Sequence, residues 1–364
     1  MLSLWVNILL SCIGSYISYQ IILEYIPVFV KRQMYGKDQC KLNNIPIPEP
    51  IGVISAAVYL IVMFIFIPFP VYEWSQLESS IPHQKFLMFL SALTAICSAV
   101  LLGFADDDRQ LRLCCLLWFG FYFQFGNASI LEFFIMFTWI IDTIASLSIM
   151  PLQIVFCTNA INILAGINGL EAGQAFIIAA SVVIFNAIEL FRLDPSLSWY
   201  HSLSLYFLLP FLGTTSVLLY PARVFVGDTF CYWAGMTLAS ACILGHFSKT
   251  MALFLIPQIF NFIYSTPQLL HLVPCPRHRL PKYDSKTNTI DMSTVEFKEN
   301  DLKPLTKIIL YFLDIFGLLY KKIIQKDDVR SNARKKINGD TFNAASFIFN
   351  PSIFYPILYR TSDV

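Results

Sequence analysis

The sequence predicts an all-α protein: a polytopic transmembrane helix bundle of about nine to ten spans with a cytoplasm-facing active site. Composition is the first observation behind that prediction. The 364 residues are 56% hydrophobic and 13% charged, where a soluble domain carries roughly 25% charged residues. Mean hydropathy is +0.62. The second observation is that apolar runs of about twenty residues, long enough to cross a bilayer, recur along the chain. The third is that the unusual polar clusters fall in loops of a single parity, as one shared membrane face requires. A formal net charge of +1 leaves no electrostatic footprint for nucleic acid. The nine cysteines show no CxxC pair and lie mostly within apolar runs, so they read as small buried hydrophobes.

The first span covers 3–30 and lacks a small-residue cleavage site, so it reads as a retained helix. Lys31, Arg32, Lys37 and Lys41 follow directly and mark a cytoplasmic loop. A second span over 51–70 ends at Pro68 and Pro70, and the loop carrying Glu73 and Glu78 is luminal. The third span, about 85–104, returns FADDDRQLR to the cytoplasm. The apolar run 113–123 is short for a crossing, and the luminal sequon Asn127-Ala128-Ser129 follows it. A fifth span lies within 133–157 and includes Asp142. Next comes CTNAINILAGINGLEAGQ, 157–174, with Asn159, Asn162, Asn168, Glu171 and the glycines 166, 169 and 173. Amides and a carboxylate are costly at membrane depth unless they pair or face water. Spans over 175–191, 203–220, 229–246 and 250–271 complete the count, the last with kinks at Pro257 and Pro267. Residues 305–325 read as an amphipathic surface helix, and 341–359 are assigned no structure. The domain reading is a membrane catalytic domain over 1–272, a basic loop over 273–304 that completes the site, and a tail over 305–364.

Asp106, Asp107 and Asp108 end a span, and three adjacent carboxylates repel one another unless a cation or a role offsets the cost. They fit either a solvated helix end or Mg²⁺ and phosphate chemistry, because Mg²⁺ takes oxygen ligands and keeps phosphates as partners. Asp228, after Gly227, fits a helix N-cap and a metal ligand equally well. Arg277-His278-Arg279 lies among Pro274, Pro276 and Pro281. Charge alone makes that cluster a topology signal, while the prolines add fixed geometry with which two arginines grip a diphosphate. Polar residues gather at span ends rather than mid-span, which disfavours a transporter.

FADD, NAINILAGINGLEAG, RVFVGDTFCYWAGM, GHFSKT and PCPRHRLPK, spread over about residues 31–297, resemble the eukaryotic UDP-N-acetylglucosamine–dolichyl-phosphate N-acetylglucosaminephosphotransferases. These belong to the polyprenyl-phosphate N-acetylhexosamine-1-phosphate transferase superfamily. The resemblance implies a Mg²⁺-dependent enzyme of the endoplasmic reticulum membrane. It would join UDP-GlcNAc to dolichyl phosphate, release UMP and be inhibited by tunicamycin. Membrane lipid is its surroundings, and a homodimer is compatible with the family. It also implies Asn162 and Asp228 at the metal, and Asp106 and Asp107 as the catalytic acidic pair. Asn168 and Phe225 match uridine contacts, while Arg277, His278 and Arg279 hold the diphosphate and sugar. The chain departs from the family after Arg112, where Cys114, Cys115 and Leu116 stand in place of Arg, His and Lys. That departure motivates one alternative, an impaired relative that binds nucleotide-sugar or a partner subunit.

Overall fold

The computed structural model describes residues 2–38, 45–77, 83–107, 153–192, 195–219 and 221–269, with short stretches at 282–284, 289–291, 294–298, 304–315, 319–324 and 344–349. The helices are α1 (Leu2–Lys31), α2 (Gly52–Phe66), α3 (Pro68–Leu77), α4 (His83–Asp107), α5 (Gln153–Ile163), α6 (Leu170–Arg192), α7 (Pro195–Ser216), α8 (Gly227–Leu244), α9 (Ser248–Phe254), α10 (Ile256–Leu269) and α11 (Pro304–Ile315). Two compact units divide the chain. One is Met1–Lys37 with Ile45–Ile259, and the other is Asp38–Asn44 with Phe260–Val364.

In the first unit the helices wrap around α8, of which fourteen of eighteen residues are buried. α4, α7, α2 and α6 all pack on it. A close approach makes the tightest of these contacts possible. A Cβ on Gly103 of α4 would strike the backbone of Asp228 and Thr229, so only glycine lets the start of α8 come so near. Aromatic side chains fill the middle: Trp233 stacks edge-on against Phe211 and Phe230 and tilts over Tyr59, and all four are fully buried.

α1 shows why this surface suits lipid. Its inward stripe is Ser3, Asn7, Ser11, Gly14 and Ser18, all buried, while Trp5, Leu9 and Tyr16 point outward. Small and weakly polar residues allow helices to approach closely and hydrogen-bond where surrounding lipid is as apolar as leucine. Asn7 Nδ2 donates to the Tyr206 carbonyl at 3.2 Å, and Ser18 meets Ser55 at 3.2 Å. Among the described residues four helical segments are long and apolar enough to span: Leu2–Lys31, Gly52–Gln76, His83–Asp107 and Leu170–Arg192. The other predicted crossings either lie outside the described residues or are helices of lower hydropathy such as α7 and α8.

Several local expectations are corrected. The predicted single span 250–271 is two helices broken at Leu255, because Pro257 has no N–H to give the preceding turn. The loop after α1 contains an antiparallel pair, β1 (Tyr35–Lys37) and β2 (Pro46–Pro48), with Gly36 opposite Ile47. In the second unit, β3 (Lys282–Asp284) pairs with β4 (Thr289–Asp291), and β5 (Thr294–Lys298), β6 (Leu319–Ile324) and β7 (Ala344–Phe349) form an antiparallel sheet in the order β5-β7-β6. The surface helix expected over 305–325 therefore stops at Ile315. LYKKII forms a strand, and AASFIF supplies its partner from a segment to which the sequence reading assigns no structure. The protein is mostly helical, in keeping with an all-α membrane class, and short strands are added to that helical frame.

Candidate functional site

In the first unit Asp107, Asp228, Asn162 and Glu171 lie at one end, where α4 stops and α6 and α8 start. The N-terminus of α8 presents backbone N–H groups with no intrahelical acceptor, and its N-cap residue, Val226, has no side chain able to help. Asp107, the last residue of α4, does the capping across the bundle. Its Oδ1 accepts from Asp228 N at 2.8 Å, and its Oδ2 accepts from Thr229 N at 2.9 Å and Thr229 Oγ1 at 2.5 Å. Gly227 makes this possible. It sits at φ +74°, and a side chain there would collide with Pro50 and the Asp107 carboxylate. Asp107 is therefore no simply solvated helix end, and Asp228 does not cap α8 but sits inside its first turn.

Asp228 is held by Asn162, whose Nδ2 donates to Oδ1 at 2.9 Å. Asp106 lies within 3.4 Å of the Tyr232 hydroxyl, one turn further along α8. Asn168, on the turn between α5 and α6, donates to the Ala222 carbonyl at 3.0 Å. Phe225 is pinned through its backbone: its N–H donates to the Pro48 carbonyl at 2.9 Å, and its carbonyl accepts from Ile51 N at 3.0 Å. Its ring edge lies against Gly36 of β1. The structure thus joins Asp107, Asp228 and Asn162 directly. It brings Asp106, Asn168 and Phe225 in on neighbouring elements. Arg277, His278 and Arg279 lie outside the described residues, as do Asp108, Asp142, the 113–123 run and the Asn127 sequon.

Sequence reasoning missed Glu49. It precedes Pro50 beside Gly36, and its carboxyl is raised above the ordinary carboxylate range, first by burial and then by Asp107, Asp228 and Glu171. A signal was present, since Glu49 is the lone carboxylate in the proline-stiffened PIPEP, just as the arginines sit in PCPRHRLP. Gln174 was also missed as a site residue. Its Nε2 donates to the Ile161 and Leu164 carbonyls at 2.9 and 2.7 Å, the unpaired end of α5, and its Oε1 accepts from Gln258 at 3.0 Å. That amide clamp sets the turn carrying Asn168.

Several carboxylates converging in a partly buried space repel one another, and a divalent cation relieves that cost. The donor atoms are all oxygens: carboxylates, plus the Asn162 carbonyl oxygen left after its nitrogen binds Asp228. Among the described residues no group of three or more His, Cys, Asp or Glu forms a metal cage. The set fits Mg²⁺, which binds through one or two carboxylates and completes its shell with water and phosphate.

The family model for glycosyl transferase family 4 matches residues 89–246, a stretch containing Asp106, Asp107, Asn162, Asn168, Phe225 and Asp228. The chain is 39% identical over 344 residues to the UDP-N-acetylglucosamine–dolichyl-phosphate N-acetylglucosaminephosphotransferase of Saccharomyces cerevisiae, covering 84% of this chain and 77% of that protein. The enzyme of the same name from Schizosaccharomyces pombe is 39% identical over 85% of this chain and 79% of its own. That from Dictyostelium discoideum is 40% identical over 70% and 69%.

Proposed function

We infer function from one premise: the chain belongs to the UDP-N-acetylglucosamine–dolichyl-phosphate N-acetylglucosaminephosphotransferase family. It transfers GlcNAc-1-phosphate from UDP-GlcNAc to dolichyl phosphate, giving GlcNAc-diphosphate-dolichol and UMP, the first step of N-glycan precursor assembly. The observation that carries this reading is 39% identity over 84% of the chain to a relative of that name. The impaired-relative alternative gains no support, because similarity to named transferases runs through most of the sequence.

In the reaction a phosphate oxygen of the lipid bonds to the β-phosphorus of UDP-GlcNAc. The bond from that phosphorus to the bridging oxygen breaks, and UMP leaves with the electron pair. Asp228 and Asn162 are the residues that would hold Mg²⁺, which supplies charge neutralisation at the diphosphate oxygens. Asp107 acts as a positioning residue, since both its oxygens are taken by α8 and it locks the span end to the helix start. Asp106, 3.4 Å from the Tyr232 hydroxyl, is the carboxylate of the pair that we assign to the reacting phosphates, where it takes the lipid phosphate's proton. Asn168 and Phe225 bind uridine, the latter by stacking, and Arg277, His278 and Arg279 grip the diphosphate and sugar.

We place the site on the cytosolic face of the endoplasmic reticulum membrane, where tunicamycin is the expected inhibitor. Support comes from Lys31, Arg32 and Lys37, which stand at and just after the end of α1 in the positive-inside pattern, and from β2, which hydrogen-bonds to Phe225 at the acidic end. The purified protein should release UMP only when both UDP-GlcNAc and dolichyl phosphate are present. Release without the lipid would indicate hydrolysis and contradict the reading.

A further inference from the structure

The motif GHFSKT, Gly245–Thr250, takes no part in the transferase site. It follows α8, eighteen residues beyond Gly227, which places it roughly 27 Å from the acidic end along that helix. There a cavity of about 540 Å³ opens, lined by Glu189, His201, His246, Ser248, Lys249 and Thr250, with the rings of Phe185 and Phe247 in its wall. α6 gives the same separation independently, since Glu189 lies roughly 27 Å along it from Glu171. A hydrocarbon core is about 30 Å thick, so a separation of that order along the apolar helix α6 fits a cavity at the headgroup layer opposite the acidic cluster.

Two features show that this cavity is built. α8 ends in a Schellman turn, with Phe247 N donating to the Cys242 carbonyl at 3.1 Å and His246 N to the Ile243 carbonyl at 3.2 Å. The residue after the cap must then be left-handed, a place where glycine is the default. Here it is His246, at φ +56°, while the adjacent Gly245 keeps an ordinary backbone. A strained imidazole kept beside an available glycine points to a use for its side chain. His201 is the second feature. It is 8% exposed, and its Nδ1 meets Asn186 Oδ1 at 2.7 Å. The Asn186 amide nitrogen is already engaged with the Val182 carbonyl and Ser204 Oγ, so the Asn186 oxygen accepts and His201 Nδ1 carries the proton. That fixes the ring and leaves Nε2 as its second functional atom.

We propose that this cavity is a binding site for a phosphate group. Lys249, His246 and the hydroxyls of Ser248 and Thr250 are donors, while Glu189, the acidic residue of the lining, is paired with Arg192 at 3.1 Å. His201 Nε2 accepts from a monoprotonated phosphate oxygen, or takes up that proton and donates in turn. Either a lipid headgroup of that leaflet or free phosphate supplies this chemistry, and the proposal does not depend on the transferase reading.

Thermal unfolding of the full chain in detergent with EDTA, titrated with inorganic phosphate and separately with dihexanoyl phosphatidate, tests it. A saturable rise in Tm is expected. In His246→Gly and in Lys249→Gln the apparent affinity should fall about tenfold or more, the worth of one charged hydrogen bond. His246→Gly relieves the left-handed strain, so it should fold at least as stably as the parent and isolates binding from folding. A response to both probes identifies phosphate itself, and a response to phosphatidate alone identifies the lipid headgroup. No response to either probe, or an undiminished response in both variants, overturns the proposal.

Discussion

At the scale of single residues, we assign the adjacent aspartates 106 and 107 two different jobs. Asp107→Asn replaces an acceptor oxygen with an N–H₂ that faces backbone N–H groups of α8. Charged hydrogen bonds are worth about 1.5–3 kcal/mol each, so this variant should lose both transfer activity and several degrees of Tm. Asp106→Asn should lose activity by about two orders of magnitude or more while costing less Tm than Asp107→Asn, whose carboxylate makes three bonds to the start of α8. Equal destabilisation by both changes would deny the division of labour. Glu49 carries a pH prediction. Its proton is held to higher pH in the folded protein than in the unfolded chain, because burial and neighbouring carboxylates disfavour the charge. The folded state therefore binds more protons in that window, and stability falls as pH rises from the ordinary carboxylate range through the raised value. Glu49→Gln should flatten this fall, which is read as Tm against pH without ligand.

At the scale of elements, the turn between α5 and α6 depends on Gln174 and Gln258. Gln174→Leu strands two carbonyls and the Gln258 amide, and it should cost about 1–3 kcal/mol while raising KM for UDP-GlcNAc, because Asn168 rides on that turn. The double variant with Gln258→Leu removes both amides. It should recover part of the stability without recovering KM, and recovery of both would make the clamp purely structural. Helix positions were legible because apolar runs set them: α1, α4 and α6 fall within a few residues of the predicted spans. The break at Leu255 and the strands β5, β6 and β7 were not. A proline can kink or end a helix depending on its surroundings, and LYKKII finds its strand partner in a distant segment of the tail, a pairing that local pattern does not encode.

At the scale of the whole molecule, the sequence already showed one acidic and amide-rich face. Asp228, Asn162 and Asp107 do meet across α4, α5 and α8. What it could not show was that Asp107 spends its carboxylate on the N-terminus of α8, because capping across a bundle leaves no mark on local spacing. Glu49 stayed hidden for a similar reason, since only folding brings the segment after α1 beside the start of α8. One consequence concerns topology. Cysteines introduced at Lys37 and, in the second basic loop, at Lys286 should both react with an impermeant thiol reagent from the cytosolic side, and labelling of position 37 from the lumen alone would reverse the orientation. The central claim is that the sugar moves together with its phosphate. UDP-GlcNAc labelled with ³²P at the β-phosphorus, given to the purified protein with dolichyl phosphate, distinguishes this from transfer of the sugar alone. The label should leave the aqueous phase and appear in the lipid product, with unlabelled UMP as the other product. Label recovered in UDP, with sugar alone on the lipid, would contradict it.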